Sequence, residues 1–235
     1  MNEPLQRLVA LADTDRLIRL TEGRLSELQG EEASLQARVA QLDQEMKARQ
    51  ESHRRLRAEG LARMNEVDAT DEKIRTYQRK LEQEILPYKE MEYLRDQVVL
   101  LKSRIDGLAE EALLLSDQVE QDAEKLKEDE AAFRQRRQAL EEELQALLHH
   151  RAALAQEKEG LLSQRAAQAE LVPPHLLQQY ERLRRTVGSP VVPVQGGTCG
   201  GCHLRLAEAT LTRVKEGREV VTCENCSRFL YWRAP

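Results

Sequence analysis

The sequence predicts a mainly α fold: a long antiparallel coiled-coil helical hairpin followed by a small C-terminal β module built around four cysteines. Three observations predict it. Apolar residues recur every seven positions through the first 172 residues, and helix breakers are scarce over the same span. All four cysteines of the 235-residue chain fall within its last 37 residues. Composition agrees, because 33% of residues are charged and only 3% are aromatic, too few for a large globular core. Leucine and alanine are abundant and charges of both signs are interspersed, which is the composition of long solvated helices rather than of disorder.

Proline and glycine mark the boundary. Residues 1–172 hold two prolines (Pro4, Pro87) and five glycines, whereas the last 63 residues hold five prolines and six glycines. The change falls at Val172-Pro173-Pro174. The chain therefore divides into a helical hairpin over 1–172, a neck helix with a valine-rich linker over 173–195, and a cysteine module over 196–235.

Within the hairpin, one seam begins Leu11, Ile18, Leu25 and continues less regularly to Ile74 and Leu81. A second runs Met91, Val98, Ile105, Ala112, Val119 and onward to Leu161, apolar at every step, with Leu94, Leu101, Leu108 and Leu115 as its companions. A sustained seven-residue repeat specifies left-handed supercoiled helices packed along a narrow seam. Pro87 separates two blocks of similar length, so a turn near 85–92 folds them side by side. At about 1.5 Å per residue the hairpin would extend on the order of 120 Å. The alternative is one helix kinked at Pro87 that dimerises; Gly60 is a second, weaker candidate for the turn. Arg49, His53 and Arg63 interrupt the first seam, where polar residues set register or reach to water rather than bind ligands. His149-His150 reads as a solvated helix face.

Cys199, Cys202, Cys223 and Cys226 are spaced C-x2-C-x20-C-x2-C. Two such pairs on tight turns bring four sulfurs around one tetrahedral Zn2+. Gly201 and Asn225 precede the second cysteine of each pair and are the types that best accept positive φ. Val191–Val194, Val220-Val221 and Phe229–Trp232 are β-prone, so the module reads as a zinc ribbon of knuckle, strands, knuckle. Four thiolates also suit iron, and His203 could stand in for Cys202. About 40 residues cannot supply the βαβ scaffold of a thioredoxin-type redox pair. A zinc closed by four thiolates has no position for water, so its role is structural. MNEPLQRL lacks the basic-then-apolar pattern of a signal peptide, and no apolar run is long enough to span a bilayer. The expected setting is the cytoplasm, where disulfides are not expected.

The segment from Tyr180 onward carries nine basic against five acidic residues, and the rest of the chain 27 against 36. Arg182, Arg184 and Arg185 cluster at the neck; Arg205, Arg213, Lys215 and Arg228 lie on the ribbon beside Trp232. These residues are candidate contacts for a protein partner, or for RNA or DNA through phosphates and stacking. Tyr88, Lys89, Glu90 and Tyr93 are candidate contacts at the hairpin turn.

Tyr180-Glu181-Arg182-Leu183-Arg184, Cys199-Gly200-Gly201-Cys202 and the run from Cys223 to Tyr231 resemble the bacterial C4-type zinc-ribbon proteins that carry a long N-terminal coiled coil. LVALADTDRLI and YKEMEYLRDQVVLLKSRI resemble the same family upstream. Ser227 departs from it, since many members have glycine there. The resemblance implies a helical hairpin capped by the ribbon and a regulatory adaptor. Its implied partners are an alternative sigma factor, secretion or flagellar components, or transcripts. Phosphate-cradling, dinucleotide and nucleophile-elbow motifs are all missing, and a two-helix rod lacks a deep pocket, so no enzyme and no small-molecule substrate is expected.

Overall fold

In the computed structural model, which describes residues 2–232, the chain forms eight elements. Helix α1 spans Glu3–Gln83 and α2 spans Tyr88–Glu170. A shorter α3 covers Pro174–Val187. The ribbon then supplies β1 (Val191–Gln195), β2 (Thr198–Cys199), α4 (Glu208–Glu216), β3 (Val221–Thr222) and β4 (Phe229–Trp232).

Local chemistry explains where the helices start and stop. The Asn2 side-chain oxygen accepts from the Leu5 amide at 3.1 Å, capping α1. The carbonyl of Pro87 accepts from the amides of Glu90 and Met91, so the proline sits just outside α2, where its missing N–H costs nothing. The turn is therefore at 84–87, and α1 runs unbroken through Gly60. At Gly60 a Cβ would lie 3.6 Å from Val119, so the glycine sits in close contact with α2 rather than in a bend. Pro174 opens α3, and Gly188, at φ 73°, closes it.

The chain packs as two compact units. In the unit formed by residues 34–144, α1 and α2 run antiparallel over a seam that buries Leu35 and five predicted seam positions, Ile74, Leu94, Val98, Leu108 and Ala112. The polar interruptions of the first seam pair across it. Arg49 donates to Asp122 and Asp129 at 2.8 Å each, His53 Nδ1 lies 2.8 Å from Asp122, and Arg63 reaches Glu111 at 3.1 Å. Hydrogen bonds from Arg49 and then from His53 hold the Asp122 carboxyl below the ordinary range. Each pair fixes one longitudinal register, the role expected of polar residues in a seam.

The second unit contains residues up to Ala33 and from Gln145 onward. Here too the long helices are antiparallel: Thr14 donates to Gln168 at 2.8 Å and Lys158 pairs with Glu22 at 2.8 Å. Leu8 and Leu11 of α1 form a core with Val172, with Tyr180 and Leu183 of α3, and with Phe229 of β4. The ribbon is thus packed onto the helices through Phe229, which is fully buried.

The ribbon sheet has the order β2-β1-β4-β3. The valine-rich segment supplies β1, which is antiparallel to β2 and parallel to β4. Gly196 and Gly197, at φ 57° and 77°, make the two-residue hairpin turn between β1 and β2. Helix α4, between the knuckles, departs from the predicted knuckle-strands-knuckle order. It buries Thr210, Leu211 and Val214 and ends at Gly217 in the left-handed conformation.

Candidate metal centre and the neck that carries it

The two Cys-x-x-Cys segments fold as near-copies. Cys199 N–H donates to the carbonyl of Leu204, and Cys223 N–H to that of Arg228. His203 N–H donates back to Cys199, and Ser227 N–H back to Cys223. Each loop reverses through one residue of positive φ, His203 at 61° and Ser227 at 58°. That residue follows the second cysteine; it does not precede it. The expectation that Gly201 and Asn225 carry the positive φ is therefore corrected. Glycine would take the Ser227 position with less strain, because the left-handed region costs a side-chain-bearing residue roughly 1–2 kcal/mol.

All four sulfurs lie within 4.8 Å of one another. Cys199 Sγ is 3.7 Å from Cys226 Sγ, and Cys202 Sγ is 3.8 Å from Cys223 Sγ. A tetrahedron with Zn–S bonds of about 2.3 Å has edges of about 3.8 Å, so the donor set fits one zinc ion. His203 stands outside this cluster, which leaves Cys202 as the ligand. The Gly201 amide points at Cys199 Sγ from 3.4 Å, the arrangement that supports a thiolate. Burial pushes the Cys199 thiol up to about 12. At Cys226 burial also raises the thiol, but hydrogen bonds from the backbone and side chain of Arg228 and from Cys223 and Cys202 together outweigh it and bring the group to about 7. Cys199 and Cys223 are buried, while Cys202 and Cys226 are half-buried. The site is therefore a closed, all-sulfur structural centre.

Glycines 200 and 201 give the first knuckle different tolerances. A Cβ on Gly200 would sit 2.5 Å from the Pro193 carbonyl oxygen, which β1 holds in place. A Cβ on Gly201 would meet the Arg228 side chain, whose far end can move. Gly200→Ala is expected to lower the ribbon's stability by about 1–3 kcal/mol, as other overpacking changes do, and Gly201→Ala by less. Ser227→Gly should be neutral or stabilising. Thermal melts of the zinc-loaded proteins rank the three.

Behind the ribbon lies a buried polar cluster. Asp15 of α1 is 2% exposed and accepts from Arg165 of α2 at 2.7 Å and from the Tyr180 hydroxyl of α3 at 2.7 Å. Arg184 lies 3.5 Å from the same carboxylate and donates to Glu181 at 3.0 Å. Glu181 also pairs with Arg165. Burial, and then the Asp15 carboxylate, push the Tyr180 phenol up, so it stays a donor. The two segments DTD, 13–15, and YERLR, 180–184, thus meet in space, joined by Arg165.

The basic residues separate by circumstance. Arg184 is committed to this cluster, and Arg213 pairs with Glu219 at 2.7 Å. Lys215 lies over the Trp232 ring at 5.0 Å. Arg228 donates to the Ser189 carbonyl at 3.1 Å. Arg182 and Arg185 line an open cleft on α3 with His175 and Gln178, and among the described residues neither forms an ion pair; nor does exposed Arg205. At the turn, Tyr88 and Tyr93 are 72% and 58% exposed, and Ile85, which the sequence reading passed over, is fully exposed beside Lys89 and Glu90.

These features define a class: an antiparallel helical hairpin carrying a C4-type zinc ribbon at its C-terminal side. Residues 198–230 match the C4-type zinc ribbon domain. Three solved bacterial structures share the fold. The CT398 protein of Chlamydia trachomatis is 21% identical over 98% of each chain, with a TM-score of 0.78. A Mycobacterium smegmatis protein is 20% identical over 98% of this chain and 97% of its own, with a TM-score of 0.74. The HP0958 protein of Helicobacter pylori is 21% identical over 100% and 99%, with a TM-score of 0.51. No curated protein sequence matches the chain significantly.

Proposed function

We propose that this protein is a non-enzymatic regulatory adaptor, acting in the cytoplasm, whose hairpin and zinc ribbon mediate protein–protein contacts. The observation that carries the reading is the buried cluster around Asp15, which ties α1, α2 and α3 together where Tyr180 packs against Phe229 of the ribbon. Such a cluster holds surfaces in fixed orientation and offers no site for chemistry. Four thiolates would fill the tetrahedral positions of a bound zinc and leave no place for substrate. Exposed Ile85, Tyr88 and Tyr93 give the turn an apolar contact surface, with Lys89 and Glu90 at its side. Among the described residues no helix is long and apolar enough to cross a membrane. The family resemblance points to a sigma factor or to secretion or flagellar components as partners.

The second reading is binding of RNA or DNA. It is favoured by Arg182, Arg185 and Arg205, which form no ion pair among the described residues, together with Arg184, Arg213, Lys215, Arg228 and Trp232. Cross-linking in cells followed by mass spectrometry separates the readings. The adaptor reading expects protein cross-links at the turn or the ribbon; cross-links to nucleic acid alone overturn it. Nucleic-acid binding through phosphates would weaken steeply with salt and be lost on reversing the charge of Arg182 and Arg185.

A further inference from the structure

The outward face of α2, opposite its seam, carries an apolar pattern that the hairpin does not use. Val99, Leu100, Leu113 and Leu114 are 69%, 62%, 65% and 57% exposed. Single exposed aliphatics are ordinary, but these form two doublets separated by two heptads, so they lie on one face about 21 Å apart. Between them Gly107 is exposed, with open space where a Cβ would stand. Another backbone can therefore approach the middle of the stripe closely.

Charge states what would cover it. Asp96, Asp106, Glu110 and Asp117 are exposed, interleave with the aliphatics along the midline, and form no ion pair among the described residues. Arg95, Lys102 and Arg104 project toward the edges of the face rather than along its midline. A second copy meeting this face with its own would set carboxylates against carboxylates as water leaves, which is unfavourable. An anionic lipid surface is repelled for the same reason.

We infer that the outward face of α2 between Asp96 and Asp117 is a docking surface for a basic amphipathic helix of about five turns from a partner protein. Aliphatic side chains of the partner pack against the two doublets on either side of Gly107, and its Lys or Arg residues pair with the midline carboxylates. The inference rests on the adaptor reading and adds a partner chemistry at a surface other than the turn or the ribbon.

The test uses the full zinc-loaded chain and a fluorescent 18-residue synthetic peptide, about five helical turns. The peptide carries leucine at helical spacing with flanking lysines, and its control replaces every lysine by glutamate. Fluorescence anisotropy at low salt should show binding of the lysine peptide and none of the glutamate peptide. Leu100→Ser with Leu114→Ser, and separately Asp106→Lys with Glu110→Lys, should each weaken binding at least tenfold; all four positions are exposed, so folding is preserved. Equal affinity of wild type and variants overturns the inference, as does equal binding of both peptides. A concentration-dependent dimer abolished by the leucine substitutions also overturns it, because a second copy then covers the face. Protein cross-links at the turn or the ribbon would survive any of these failures, which separates this inference from the adaptor reading.

Discussion

Zinc removal, by chelation or by Cys199→Ser, is expected to unfold the ribbon while the helical seam of residues 34–144 persists. The ribbon's own core is small: Val192, Val194, Leu206, Leu211, Val214, Val221 and Leu230, with Cys199 and Cys223 among them. A core of that size is marginal without a metal. Structural zinc supplies on the order of 10–16 kcal/mol in comparable small modules, far more than such a core. Two of the four ligands are themselves core residues, so losing the metal loosens the packing as well as the knuckles. Phe229 carries the effect to α3, because it joins β4 to Tyr180 and Leu183. Hydrogen exchange should show amides of β1, β4 and α4 losing protection, those of α3 losing part of it, and those at Leu94–Ala112 unchanged. A metal-free ribbon that keeps its protection contradicts the account.

The second large effect belongs to Asp15. Asp15→Ala leaves Arg165 without its partner on α1, takes from Arg184 one of its two carboxylates, and strips the buried Tyr180 hydroxyl of its acceptor. Removing one partner from a buried ionic cluster costs about 3–5 kcal/mol, because the remaining charges stay in a poorly solvated site. Asp15→Asn keeps an oxygen for Tyr180 and should cost less. Glu181→Gln should cost less again, since Glu181 is further exposed at 26% and Arg165 retains Asp15. Denaturant melts followed through α3 rank the three variants in that order. If Asp15→Ala melts with the wild type, the cluster does not hold the neck.

The parts of this structure that were legible in the sequence share a physical property: a short-range rule fixes residue type at fixed spacing. Zinc demands four deprotonated sulfurs, so Cys199, Cys202, Cys223 and Cys226 announce the centre by themselves. Supercoiling demands apolar residues every seven positions, so Leu94, Val98, Leu108 and Ala112 announce the second seam. What was missed depends on register or on distance along the chain. Arg49 and His53 were recognisable as seam interruptions, but Asp122 became their partner only once the antiparallel alignment was known. Asp15 and Tyr180 are 165 positions apart, and nothing local marks either as half of a buried pair. The positive φ at His203 and Ser227 was misplaced by two residues because glycine and asparagine signal permission for that conformation, not its use. Helix α4 leaves only a short trace in Leu211, Val214 and Gly217, one i,i+3 apolar pair followed by a glycine cap, because its nine residues lie between β-prone flanks.

The central claim is that four cysteine sulfurs close one structural metal site and so exclude chemistry at it. X-ray absorption at the zinc edge of the purified full-length protein tests this most directly. The account predicts about one zinc per chain with four sulfur neighbours at about 2.3 Å. A nitrogen or oxygen ligand in the coordination sphere, or a folded ribbon that holds no metal, would contradict it.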